Sequence, residues 1–154
     1  MAFTNVLGFG IFYELINWDS NKPLLVFLHE GLGSVKQWKG LPEKLCKETA
    51  LPALVYDRPG HGCSSPLKSK RDKMYMHREA HVILPRLLEE LKINQKIIPV
   101  GHSDGGTIAR LYASKFQDKT LAVISEAAHV FVENTSLGGI LKAKGAFQQG
   151  KLKS

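Results

Sequence analysis

The sequence contains no apolar run near the roughly 18 residues that a bilayer-spanning helix needs, so a transmembrane segment is not expected. Its opening residues, MAFTNVLGFG, hold neither a basic segment nor a continuous apolar one, and no signal peptide is read from them. Cysteine is scarce. Cys46 and Cys63 lack metal or redox spacing and read as reduced thiols of a cytoplasmic protein. Aromatic residues make up only 8% and do not interleave the basic residues as a single-strand nucleic-acid face would require. There is no internal repeat and no low-complexity segment.

What is present is ordinary for a folded domain. The 154 residues are 44% hydrophobic and 23% charged, enough for one domain with a real core. A net charge of +7 raises nucleic-acid binding. The basic residues are scattered, however, apart from KSKRDK at 68–73 and Lys142, Lys144, Lys151 and Lys153. A solvated loop and a solvated helix account for both groups, and neither a nucleic-acid nor a membrane partner is expected.

Two strands are expected within Asn5–Trp18, joined near Gly8–Gly10, followed by a turn over Asp19–Pro23. LLVFL at 24–28 and ALVY at 53–56 are continuous apolar runs, as in strands buried on both faces. A helix fits Val35–Thr49, with Trp38, Leu41 and Leu45 on one stripe and Pro42 disturbing it. A second fits Tyr75–Leu91, with Ala80, Ile83, Leu84, Leu87, Leu88 and Leu91 at helical spacing and Pro85 inside. Strand 96–100, helix 105–116 and a last strand, LAVIS at 121–125, complete the pattern. Strands alternating with helices imply an α/β fold, a mostly parallel sheet with helices on both faces. In such sheets the site lies at the carboxyl ends of the strands, where the loops from His29, Asp57, Ser103 and Glu126 begin.

The stretch IIPVGHSDGG at 97–106 concentrates the chemistry. A β-forming run enters Gly101-His102-Ser103-Asp104-Gly105 and a helical pattern leaves it, the setting in which G-x-S-x-G forms a nucleophile elbow. A sharp turn there lifts the serine hydroxyl clear of the sheet, and small residues on either side let strand and helix approach.

Taken with His29-Glu30-Gly31-Leu32-Gly33 and Tyr56-Asp57-Arg58-Pro59-Gly60-His61-Gly62-Cys63-Ser64, this elbow resembles the α/β-hydrolase fold superfamily over residues 3–133. It is similar to the carboxylic-ester and carbon–carbon bond hydrolases that carry a helical cap. The resemblance implies Ser103 as nucleophile and an acyl-enzyme intermediate. It implies an oxyanion hole from the amides of Gly31 and Asp104, with Glu30 standing where the family has glycine. It implies a small ester, lactone, amide or carbon–carbon acyl substrate, with no metal and no organic cofactor.

In this fold the acid and the histidine follow the serine on later loops, and no later strand–loop–histidine unit follows LAVIS. The chain is therefore expected to be a fragment or a truncated product, with 1–131 the N-terminal core and 132–154 the start of a helical cap or a disordered tail. Glu126 and His129, at the end of the last strand, are the remaining candidates for a substitute acid and base. His29 and His61 are expected to brace loops, His77 and His81 to lie on a helix surface, and Asp57 to pair with Arg58. A sheet ending on LAVIS would expose an edge through which the chain could self-associate. The alternative is an inactive binding protein that retains the hydrolase core.

Overall fold

A computed structural model describes residues 2–129, 131 and 134–150. The chain opens with a hairpin, β1 (Ala2–Val6) and β2 (Phe9–Ile16), turned by Leu7 and Gly8. Both turn residues have positive φ, 53° and 84°, the two-residue geometry whose twist suits a hairpin. Asn5 Oδ1 braces it by accepting from the Gly8 amide at 3.0 Å. The turn thus lies at the N-terminal end of the expected Gly8–Gly10 stretch, and Gly10 is already paired with Asn5.

Next come β3 (Leu24–Leu28), α1 (Leu41–Thr49) and β4 (Ala53–Tyr56). The helix expected over 35–49 is broken in two. A 3₁₀ turn at Val35–Trp38 ends at Lys39 and Gly40, both left-handed, and α1 begins after them. Pro42 then falls in the first helical turn, where its missing N–H leaves no bond unmade.

The segment expected as one helix over 75–91 is α2 (Tyr75–Arg78), a π turn (Glu79–Ile83) and α3 (Leu84–Glu90). Pro85 has no N–H to donate back to residue 81, and the widened turn just before it absorbs that loss. β5 (Ile97–His102), α4 (Asp104–Lys115), β6 (Ile124–Glu126) and α5 (Asn134–Gln148) follow.

The six strands run in the order β1-β2-β4-β3-β5-β6, with β4, β3, β5 and β6 mutually parallel. β3 is buried throughout, and its side chains alternate between two cores. Leu24, Val26 and Leu28 pack with Leu84, Leu87, Ile108 and Tyr112 on the α3–α4 side. Leu25 and Phe27 pack with Cys46, Val55 and Val100 on the α1 side. Helices on both faces of a mostly parallel sheet are what the sequence pattern implied.

From β3 the chain steps to β4 on one side and then to β5 on the other. The strand order therefore switches beside β3, and the crevice between the ends of β3 and β5 is where such sheets place their ligands. β6 is shorter than the expected 121–125 strand and every residue in it is exposed. Among the described residues it pairs only with the end of β5, and no strand pairs with its outer edge.

Candidate functional site

Ser103 sits between β5 and α4 with φ 53° and ψ −118°, a conformation costly for a residue with a Cβ. The surrounding contacts hold it there. Its amide donates to the Glu126 carbonyl at 2.9 Å, and its own carbonyl accepts from Thr107 N at 3.1 Å, in the first turn of α4. The flanking glycines allow the turn physically. A Cβ on Gly105 would overlap the Leu28 carbonyl, and one on Gly101 would overlap the backbone of Gly105. The helix can approach the ends of β3 and β5 only because both positions are bare.

The loop after β6 turns back over α4. Thr107 Oγ1 accepts from the His129 amide at 3.1 Å and donates to the His129 carbonyl at 3.3 Å. This clamp brings His129 Nε2 to 3.2 Å from Ser103 Oγ, within hydrogen-bonding distance. No carboxylate hydrogen-bonds the His129 ring among the described residues. Glu126 meets Ser103 through its main-chain carbonyl, while its side chain lines a cleft of about 380 Å³ with Glu30, Trp38, Lys39 and His102.

Gly31 lies on the β3 loop against the Asp104 side chain; a Cβ there would come 2.8 Å from Asp104 Oδ2. Neither the Gly31 nor the Asp104 amide donates to a protein acceptor among the described residues. That leaves both free for a ligand oxygen. The Glu30 carbonyl, by contrast, accepts from His29 Nδ1 at 2.8 Å, Arg58 Nη2 at 2.8 Å and Gly33 N at 3.1 Å.

Asp57 and Arg58 do not pair as expected. Asp57 accepts from Val35 N and Cys63 N, each at 2.7 Å, and so ties two loops together through backbone amides. Arg58 is completely buried and extends the other way, its Nη2 4.0 Å from Asp104 Oδ2. The Tyr75 hydroxyl donates to the same Asp104 oxygen at 2.6 Å. No sequence signal singled out Tyr75 or Thr107. Arg58 stood inside the DRPGHG motif, but its direction was not legible.

His29 and His61 brace loops, as expected. The His29 ring accepts from Arg58 N at 3.0 Å through Nε2 and stacks edge-on against His61. Burial, then the Arg58 charge, holds the His29 imidazole down to about 3 and that of His61 to about 4, so both are neutral near pH 7. His77 is exposed, whereas His81 is half-buried, with Nε2 3.1 Å from the Leu111 carbonyl. Among the described residues no His, Cys, Asp or Glu cluster could hold a metal ion. None of their helices is long and apolar enough to cross a membrane.

The family model of the α/β-hydrolase fold matches residues 23–149, which takes in the β3 loop, the elbow and α5. The chain belongs to the α/β-hydrolase fold family. Among curated relatives it is 30% identical over 116 residues to a proline iminopeptidase of Saccharolobus solfataricus, covering 75% of this chain and 36% of that protein. It is 30% identical over 109 residues to an sn-1-specific diacylglycerol lipase of Mus musculus, covering 69% of this chain and 33% of the relative. It is 37% identical over 97 residues to a 2-succinyl-6-hydroxy-2,4-cyclohexadiene-1-carboxylate synthase of Photorhabdus laumondii, covering 63% and 32%. The chain thus spans about a third of the length of these relatives.

Among solved structures, a carboxylesterase structure from Nitrososphaera gargenis superposes with a TM-score of 0.76 at 24% identity, covering 94% of this chain and 52% of that one. MGS-M2, an α/β hydrolase from a deep-sea metagenome, superposes with a TM-score of 0.66 at 27% identity over 79% of this chain and 42% of its own. In this hydrolase fold the residues matched include every group named above around Ser103.

Proposed function

We propose that the protein is a serine hydrolase acting on a small ester, lactone, amide or carbon–carbon acyl compound through an acyl-enzyme at Ser103. The observation that carries this reading is the 3.2 Å approach of His129 Nε2 to Ser103 Oγ on a strained strand–helix turn. His129 Nε2 would accept the hydroxyl proton as Ser103 Oγ attacks the acyl carbon. The carbonyl oxygen would take up the negative charge and receive hydrogen bonds from the Gly31 and Asp104 amides. Collapse would expel the leaving group with a proton from His129, and water activated by the same ring would then release the acid. Glu126 forms a lip of the adjacent cleft in this scheme. α5 would be the first helix of a cap shaping the far wall of the pocket, as the cap-bearing hydrolases suggest.

The relatives' names span an iminopeptidase, a lipase and a carboxylate synthase, so they single out no one substrate. The exposed edge at β6, with Ile124 49% accessible, would support association with a second copy.

The test is labelling by a fluorophosphonate, which phosphonylates an activated serine. The parent is expected to label at Ser103, and Ser103→Ala to abolish labelling. His129→Ala is expected to slow it by about a hundredfold to ten-thousandfold, the contribution typical of a general base. No labelling of a folded sample would refute the hydrolase reading and leave a binding protein on a hydrolase core.

A further inference from the structure

The buried guanidinium of Arg58 has no place in the acyl-transfer scheme above, yet it lies directly behind the candidate oxyanion hole. Arg58 is fully buried, and of its three guanidinium nitrogens only Nη2 is hydrogen-bonded among the described residues. An arginine held dry in this way is costly unless the fold uses it. The guanidinium's hydrogen bond goes to the Glu30 carbonyl. Every peptide bond of the described chain is trans, so the Glu30 carbonyl and the Gly31 N–H point in opposite directions. Holding the carbonyl inward, with His29 Nδ1 and Gly33 N as further donors, turns the Gly31 N–H outward from Arg58.

The second donor is tied to the same group. Asp104 supplies its own amide at the start of α4, and its carboxylate lies 4.0 Å from Arg58 Nη2, with the Tyr75 hydroxyl donating to it at 2.6 Å. That carboxylate also fills the space beside the Gly31 Cα. One side chain therefore touches the peptide plane that carries the first donor and the residue that carries the second.

We infer that Arg58 is a positioning residue for the oxyanion hole, setting the Gly31 peptide through the Glu30 carbonyl and registering it against Asp104. The inference rests on the hydrolase reading, because without acyl transfer there is no oxyanion to receive. Arg58 touches no substrate in this arrangement. It acts through Glu30 and Gly31 by way of Nη2, whose direction the rigid guanidinium plane fixes, whereas a lysine ammonium is a point charge on a flexible stem.

The experiment compares the rate of fluorophosphonate labelling in the parent, Arg58→Met and Arg58→Lys, alongside ester turnover and the Gly31 amide resonance. Loss of one oxyanion donor typically lowers the rate by about a hundredfold or more. A misdirected donor is expected to cost at least about tenfold in labelling and in kcat, with KM nearly unchanged. The Gly31 amide proton should move downfield on phosphonylation of the parent and stay in place in the variants, a response that a purely structural arginine would not govern. If Arg58→Met fails to fold, Arg58→Lys, which keeps the buried charge, carries the test alone. Folded variants that label at the parent rate and shift Gly31 like the parent would overturn the inference while leaving the hydrolase reading intact. A parent that does not label at all would overturn the hydrolase reading, and the inference with it.

Discussion

Replacing Glu79 by glutamine should change how stability depends on pH. Glu79 lies on the π turn, 6% exposed, and burial pushes its carboxyl up from 4.5 to about 7 against the pull of Arg58. Between those values the folded protein keeps a proton that the unfolded chain has released. Its contribution is therefore full below pH 4.5 and lost as pH rises through about 7, an effect of roughly 3 kcal/mol. His29 works in the opposite sense. Its imidazole is held from 6.5 down to about 3, so its contribution is present above 6.5 and lost as pH falls toward 3.

Each group alone gives a slope of about 1.4 kcal/mol per pH unit in its window. From pH 4.5 to 6.5 the two windows overlap and the slopes oppose, so the parent's stability should be nearly level there. His61, half-buried and held to about 4, adds only a smaller fall toward acid. Glu79→Gln keeps the neutral shape and removes one slope. Stability of the variant should then drop by about 3 kcal/mol between pH 6.5 and 4.5, and exceed the parent's by up to about 3 kcal/mol at pH 8. Urea unfolding followed by circular dichroism at four pH values measures both. Parallel curves for parent and variant would refute the reasoning.

Three further outcomes follow from the packing. Gly105→Ala places a Cβ against the Leu28 carbonyl and should destabilise by about 3 kcal/mol through separation of α4 from β3; thermal unfolding checks it, and an unchanged melting temperature would contradict the close approach. Ser64 Oγ donates to the Asp57 carbonyl at 2.6 Å and accepts from Phe12 N at 2.9 Å, so Ser64→Ala should cost about 1–3 kcal/mol by leaving a buried amide unpaired. Urea titration at one pH measures that loss. Ile124→Lys puts a charge on the exposed β6 edge and should shift any dimer seen by sedimentation toward monomer; an unaltered distribution would place self-association elsewhere.

What the amino-acid order determined alone was local. LLVFL and ALVY are strands buried on both faces because no polar residue interrupts them. Gly101 and Gly105 mark the elbow because a side chain at either would strike the backbone. Gly31 and Asp104 were legible as neighbours of the site because the loops after β3 and β5 leave adjacent strands at the same edge.

What only the tertiary structure decided depends on groups distant in sequence. Thr107 and His129 are brought together by the turn after β6, and that clamp carries the imidazole to Ser103, 26 residues away. Asp57 and Arg58 are consecutive and opposite in charge, yet their side chains part. The Asp57 carboxylate is taken by the Val35 and Cys63 amides, while Arg58 is drawn to Glu30 and Asp104. Periodicity records which side of an element is apolar, not which distant carbonyl or carboxylate will lie within reach of a buried charge. For that reason the strand–turn–helix around Ser103 was legible from its residues, but the support behind the loop after β3 was not.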